Sequence, residues 1–283
     1  MVHILESTVL KRQEEYFLEL EHKFEGLRSI AKQARLKGMD PAFQPESIVT
    51  HDLAERVEKS VGPPEVATRI RELSKLMPRE ESAFKIAEEI VYGRFGVSGE
   101  AAAEQAIRTA LGVLDEGVTV APIQGISSVR IKTNPDKTKY LAVYFAGPIR
   151  SAGGTEMALI LIVADFVRRL LGLDRYKGTE VEARRFVEEL RLYEREVARF
   201  QYKLSDRELF NAVLNLPVEV NGVETDPVEV ASFRNLPRIE TNRVRGGALR
   251  VVNDGLIGRT QKVLKIIEKL GIGGWGWRRE IRP

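Results

Sequence analysis

Residues 144–172 read YFAGPIRSAGGTEMALILIVADFVRRLLG. An apolar run, a loop with three glycines and a long apolar stretch at helical spacing follow one another directly, the order of a strand, a turn and a helix. The turn, Gly147-Pro148-Ile149-Arg150-Ser151-Ala152-Gly153-Gly154, leaves backbone amides free at the helix start. Arg150 and the hydroxyls of Ser151 and Thr155 stand beside them, an arrangement suited to a phosphate. The loop lacks the Gly-Lys-Ser or Gly-Lys-Thr ending of a Walker loop and the GxGxxG spacing of a dinucleotide fingerprint. On the residues alone a second reading stays open: the glycines let strand and helix meet closely, and Arg150 is tied to a carboxylate.

On either side of this unit the pattern divides the chain. Residues 1–97 read as short helices separated by breakers, an assembly module. Phe17, Leu20, Phe24, Leu27, Ala31 and Ala34 recur at helical spacing up to Gly38 and Asp40-Pro41. A second helix carries Leu53 and Val57, a third is opened by Pro64, and a fourth follows Pro78 with Glu80 and Glu81 at its positive end. Their narrow apolar stripes imply packing against another domain or subunit. Residues 98–283 change grammar to an α+β domain, a mixed α/β arrangement with short antiparallel strands and hairpins. An alanine-rich helix spans 101–114, and strands around Val129 and Ile131 and from Tyr140 to Phe145 are joined at Asn134-Pro135-Asp136. Thr179 with Glu182 and Ser205 with Glu208 are capping boxes. Asn221-Gly222 and Asn253-Asp254-Gly255 read as tight turns between returning short strands, and a closing amphipathic helix holds Val263, Leu264, Ile267 and Leu270.

The chain has 283 residues and a net charge of +3, with 43% hydrophobic and 30% charged residues, as expected of a globular protein rich in ion pairs. No apolar window is long enough for a membrane helix, so a membrane role is not expected and the cytoplasm is the default location. The absence of cysteine excludes a disulfide framework and a thiolate zinc site. Charge is unevenly placed: residues 226–283 carry twelve Lys and Arg against six Asp and Glu, a balance of +6, which leaves −3 for the rest. Such a basic segment suits an anionic partner, or is a solvated face.

Within it, Arg234, Arg238, Asn242, Arg243 and Arg245 precede Gly246-Gly247. Arginine forks match phosphate oxygens, and on a strand Arg243 and Arg245 would share one face. The alternative is a surface ladder paired with Glu229 or Glu240. The catalytic assignment is none: His3, His22 and His51 are scattered on charged helices, no Asp-x-Asp pair follows a strand, and no nucleophile adjoins a base. Asp165, inside an apolar helix, is read as the partner of Arg168 or Arg169. Two tryptophans in the final GIGGWGWRREIRP need something to pack on them, and the chain reads as a piece of a longer protein. Gly271 to Gly274 fits GxxG formally, but the neighbouring tryptophans do not suit a nucleic-acid loop.

The blocks AIRTALGVLDEGVTVAPIQGISSV, YFAGPIRSAGGTEMAL, VEELRLYEREVARFQY and LPRIETNRVRGGALRVV occur in one order. Together they resemble the amino-terminal part of the large subunit of archaeal DNA polymerase D. IAKQARLKGMDP and DLAERVEKSVGPPEVATRIREL extend the resemblance to the helical beginning. It implies the non-catalytic start of a template-directed DNA polymerase, a nucleotidyltransferase of DNA replication that works with a small 3'-5' exonuclease subunit. Its partners would be primer-template DNA and that small subunit, with self-association as a further option. The family's polymerase centre, a double-psi β-barrel with metal-binding aspartates, and its cysteine zinc modules lie further along the subunit. Mg2+ and zinc are therefore expected in the remainder and no cofactor in this segment. The resemblance favours DNA contact at the arginine block, and also at Arg150, Ser151, Gly153, Gly154 and Thr155.

Two rivals come from other classes. Nucleoside deoxyribosyltransferases hold a sugar on a similar alanine-glycine-proline loop, but near the chain start and with a catalytic glutamate block that is not visible here. A purely structural scaffold would use the basic strip against acidic protein.

Overall fold

The computed structural model describes residues 2–36, 50–115, 121–269, 271–277 and 279. The chain forms two compact units, Met1–Val49 and Thr50–Pro283. In the first, helix α1 (Val2–Leu36) leaves Phe17, Leu18, Leu27 and Ile30 exposed.

The second unit begins with α2 (Leu53–Ser60), α3 (Val66–Ser74) and α4 (Arg79–Val91). Asp52 caps α2 by accepting the Glu55 N–H at 2.8 Å, and Pro78 stands at the start of α4. Helix α3 starts at Val66, after Glu65 at φ 72°, so Pro64 lies ahead of the helix and does not open it. The alanine-rich α5 (Gly99–Leu114) buries Ala102, Ala103, Ala106 and Ala110, whose short side chains let α4 approach with its own Ala83 and Ala87. A short α6 (Ala121–Gln124) leads into β1 (Ile126–Thr133) and β2 (Lys139–Phe145).

These strands are antiparallel, with Val129 opposite Val143, and turn at Asn134-Pro135-Asp136, where the Asn134 N–H donates to the Thr138 carbonyl at 2.8 Å. A 3-10 turn (Gly147–Ser151) then delivers α7 (Gly154–Leu170). Ile160, Leu161, Ile162, Val163, Ala164 and Val167 of α7 are fully buried. A helix apolar on all sides is a central core helix, and α7 packs against α4, α5, β2 and the segment after α10. Phe84 of α4 meets Phe166 edge-on at 4.8 Å, so helices before and after residue 97 share one core.

Helices α8 (Glu180–Glu196) and α9 (Asp206–Asn215) both start with the capping boxes read from sequence, Thr179 with Glu182 and Ser205 with Glu208. Strand β3 (Glu219–Gly222) joins β2 in parallel, completing a sheet of order β1-β2-β3. Asn221-Gly222 is therefore strand, not a hairpin turn. Neither residue has positive φ, and the Asn221 Oδ1 accepts from the Gly222 N–H at 2.9 Å and from Arg245 at 2.8 Å. Tertiary hydrogen bonds thus claim the side chain that a turn would use. After α10 (Gly246–Arg250) the backbone widens into a π-helical segment, Val251–Ile257, and ends in α11 (Thr260–Lys269). Asn253-Asp254-Gly255 lies inside the π-helical segment, again not in a turn. Apart from β3, the only pairing among the described residues after Leu216 is the isolated bridge between Glu229 and Arg243. Leu270 lies outside the described residues.

Trp275 is buried and its Nε1 donates to Asp165 at 3.1 Å. Asp165 is also paired with Arg168 at 2.9 Å and Arg169 at 2.7 Å, the neighbours expected from sequence. The GxxG stretch is tied down by Arg169, which donates to the Gly273 carbonyl.

Candidate nucleic-acid interface

The glycine loop and the arginine block, far apart in sequence, are neighbours in the fold. Arg150 donates to Asp226 at 2.6 Å and lies over the Tyr193 ring, while its buried Nε has no acceptor among the described residues. A Cβ on Gly246 would stand 2.5 Å from the same Asp226 carboxylate and 3.0 Å from Arg150, and one on Gly247 2.9 Å from the Ala146 carbonyl. This glycine pair therefore admits the loop at 147–151 rather than baring backbone to solvent. The α7 start is also partly satisfied: Glu156 reaches back to accept the Gly153 N–H at 2.8 Å. Ser151 donates to the Pro148 carbonyl at 3.0 Å, and Thr155 is half-buried. Gly154 is required by packing, since a Cβ would sit 2.7 Å from the Asp254 carbonyl oxygen.

The arginine block is a loop laid on α8. Glu188 accepts the N–H groups of Ala231, Ser232 and Phe233 at 2.7, 2.8 and 3.0 Å. Burial pushes the Glu188 carboxyl up, but these three bonds hold its pKa below the usual value. Arg238 forks onto Glu182 and lies over Tyr140 and Tyr176. Burial opposes its charge, and the Glu182 hydrogen bonds outweigh burial, so the Arg238 pKa is raised. For Glu182 the same pairing overcomes burial and lowers the pKa. Asn242 and Asn235 exchange hydrogen bonds of 2.8 Å, which closes the loop around Asn235 at φ 55°.

Arg243 and Arg245 do not share a face. Arg245 precedes α10 and is 1% exposed; its Nη2 lies 2.9 Å from Glu189, and its Nη1 donates to Asn221. Glu189 also binds the fully buried Arg185, which reaches the carbonyls of Phe233 at 2.6 Å and Thr241 at 2.9 Å. Burial pulls the Arg185 pKa below its usual value. A fork that suits phosphate suits a carboxylate equally, and the inner positions of the block have found carboxylates. The outer positions differ. Arg234 and Arg243 keep 46% and 48% of their side chains exposed: Arg234 pairs with exposed Glu229 at 3.2 Å and donates to the Val230 carbonyl at 3.4 Å, and Arg243 pairs with exposed Glu224 at 3.3 Å.

A basic cleft that the sequence reading did not single out lies at the start of α11. It measures about 430 Å³, and Tyr202, Arg259, Lys262 and Lys265 are among its walls. Among the described residues no group of three or more His, Cys, Asp or Glu is placed to hold a metal ion, and no helix is long and apolar enough to cross a membrane.

Residues 15–282 match the protein family described as DNA polymerase II large subunit DP2, N-terminal. Among similar proteins, the DNA polymerase II large subunit of Pyrococcus horikoshii is 50% identical over 95% of this chain and 19% of its own length. That of Methanococcus maripaludis is 47% identical over 100% of this chain and 25% of its own. That of Methanosphaera stadtmanae is 51% identical over 93% and 24%. The chain thus spans a fifth to a quarter of the length of the curated relatives it matches. By sequence, by block order and by the α+β fold that those blocks build, the chain belongs to the family of the amino-terminal region of the DNA polymerase II large subunit, the archaeal polymerase D type.

Proposed function

We propose that this chain is a non-catalytic part of a replicative DNA polymerase that grips primer-template DNA through its backbone and helps the polymerase assemble. The reading rests on one observation above others: the loop at 229–243 is fixed from beneath, by Glu182, Glu188 and Arg185, while Arg234 and Arg243 stand at the surface. Exposed pairs of this kind are worth about 0–1 kcal/mol. Exchanging a glutamate for a phosphate therefore costs little, and the loop needs no ordering to present both cations. A polymerase handles any sequence, which calls for phosphate contacts rather than base contacts.

The long helix α1 supports the assembly role, because Phe17, Leu18, Leu27 and Ile30 are exposed on it. The partner would be the small exonuclease subunit or another large subunit. The whole protein would carry polymerase activity in residues beyond this chain.

The test is fluorescence anisotropy with a labelled primer-template, comparing the wild-type chain with Arg234→Ala/Arg243→Ala. Weaker binding and a shallower salt dependence in the variant, with the fold intact, are expected. Unchanged binding would remove this loop from the interface.

A further inference from the structure

The cations of the basic segment separate into two groups. Among the described ones Arg234, Arg238, Arg243, Arg245, Arg250, Lys269 and Arg279 each have a carboxylate partner. Arg259, Lys262 and Lys265 have no ion pair among the described residues, and all three line the cleft at the start of α11. We infer that this cleft is a second phosphate-backbone site, which holds a strand of the same DNA on the face formed by Tyr202, Arg259, Lys262 and Lys265. It rests on the DNA-binding reading above and assigns a contact which that reading does not contain.

The cleft is built rather than incidental. Its wall, the loop carrying Tyr202, is pinned to the π-helical segment: Asp254 accepts the N–H of Gln201 at 2.9 Å and of Tyr202 at 3.3 Å, and Asn253 donates to the Tyr202 carbonyl at 2.8 Å. A side chain at 258 would strike the Tyr202 ring, since a Cβ there would lie 2.2 Å from its Cδ2. Glycine at that position lets the ring pack against the backbone, with the Arg259 guanidinium 5.5 Å from the ring centroid.

Arg259 is also held in an unfavourable place for a lone cation. A Cβ on Gly154 would be 3.1 Å from its Cγ and 3.2 Å from its Nε, so the side chain lies against the positive first turn of α7. Its Nε is buried without an acceptor among the described residues. The nearby carboxylates are already engaged, Asp254 with Arg250 at 2.6 Å and Glu156 with the Gly153 N–H at 2.8 Å. An incoming anion would supply the missing partner.

From Thr260, next to Arg259, to Lys265 the helix rises by about 7.5 Å at about 1.5 Å per residue, comparable with about two phosphates of one strand at about 3.4 Å of axis each. An aromatic wall beside a cationic track is the composition that serves a sugar-phosphate chain, paired or single.

Lys262→Gln/Lys265→Gln tests the site without touching the core, since both side chains are on the exposed face of α11. Anisotropy with primer-template would be followed from 50 to 200 mM salt beside wild type and Arg234→Ala/Arg243→Ala, with circular dichroism confirming the fold. Loss of two phosphate contacts should make the log–log salt slope shallower by roughly 1.8, so that this salt rise weakens binding roughly twelvefold less than in wild type. If the lysine variant binds like wild type while the arginine variant is weakened, the cleft is not a DNA site and the loop reading survives. That outcome would also follow if the cleft served an acidic protein instead. If wild type does not bind at all, both proposals fall together.

Discussion

Glu189 is the carboxylate on which the buried side of the arginine block depends, and its removal is the most informative single change. It is fully buried between Arg185 and Arg245, themselves 0% and 1% exposed. Glu189→Ala removes the acceptor for the Arg185 Nε and for the Arg245 backbone N–H, Nε and Nη2. Two buried guanidiniums would then face each other without the charge that separates them. Breaking a buried ion pair by deleting one partner costs about 3–5 kcal/mol, because the remaining charge stays desolvated. In a unit of this size that corresponds to a fall in Tm of roughly 6–20 °C. Urea unfolding followed by circular dichroism measures the loss, and Arg243→Ala in the same loop, at an exposed pair, serves as the comparison with a change within about 0.5 kcal/mol. A loss below about 1 kcal/mol for Glu189→Ala would refute the argument that this network holds the loop.

The remaining predictions concern the glycine loop and the titrating groups. Gly154→Ala should cost about 1–3 kcal/mol, since its Cβ meets backbone, whereas Gly153→Ala meets only the flexible Glu156 carboxylate at 3.2 Å and should cost less. Full stability of Gly154→Ala with loss of DNA binding would instead favour a phosphate held at that loop. Because the folded-state pKa of Glu182 is lowered, the stability it contributes is complete above its unfolded pKa of about 4.3 and is lost as pH falls below that. Unfolding measured from pH 6 to 3 should therefore show a flatter acid limb for Glu182→Gln; an identical limb would contradict the assignment. Burial raises the pKa of Tyr140, Tyr144 and Tyr176, so the stability they lend is present below about pH 10 and declines as pH rises further. Absorbance at 295 nm should show these three phenols ionising only as the chain unfolds, and their ionisation in the folded chain would sink that reading.

Much of the architecture is legible where local chemistry and tertiary structure agree. The hairpin at Asn134-Pro135-Asp136, the capping boxes at Thr179 and Ser205, and the apolar run of α7 each depend on residues within a few positions of one another. Asn221-Gly222 and Asn253-Asp254-Gly255 misled for the opposite reason. Their turn-forming side chains bond to distant partners, Asn221 to Arg245 and Asn253 to the Tyr202 carbonyl, and those bonds hold strand and π-helix instead. The arginine block was visible as a block but not in its division of labour. Carboxylate and phosphate ask the same of a guanidinium, and only the fold reveals that Glu182 and Glu189 lie beside Arg238 and Arg245 while Arg234 and Arg243 face water. The cleft at α11 is not legible in the sequence because Lys262 and Lys265 sit in the ordinary pattern of an amphipathic helix, with Arg259 just ahead of it. The signal was pairing: neighbouring cations have carboxylates and these do not.

The central claim is that this region of the polymerase holds DNA by its phosphates, and the dependence of wild-type affinity on salt measures it most directly. Binding constants would be taken on two primer-templates of unrelated sequence between 50 and 200 mM salt. The account predicts equal affinity for the two sequences and a steep linear fall of log K with log salt, each phosphate contact contributing about 0.9 to the slope. A folded chain that binds neither duplex at the lowest salt, or binds with an affinity indifferent to salt, would contradict it.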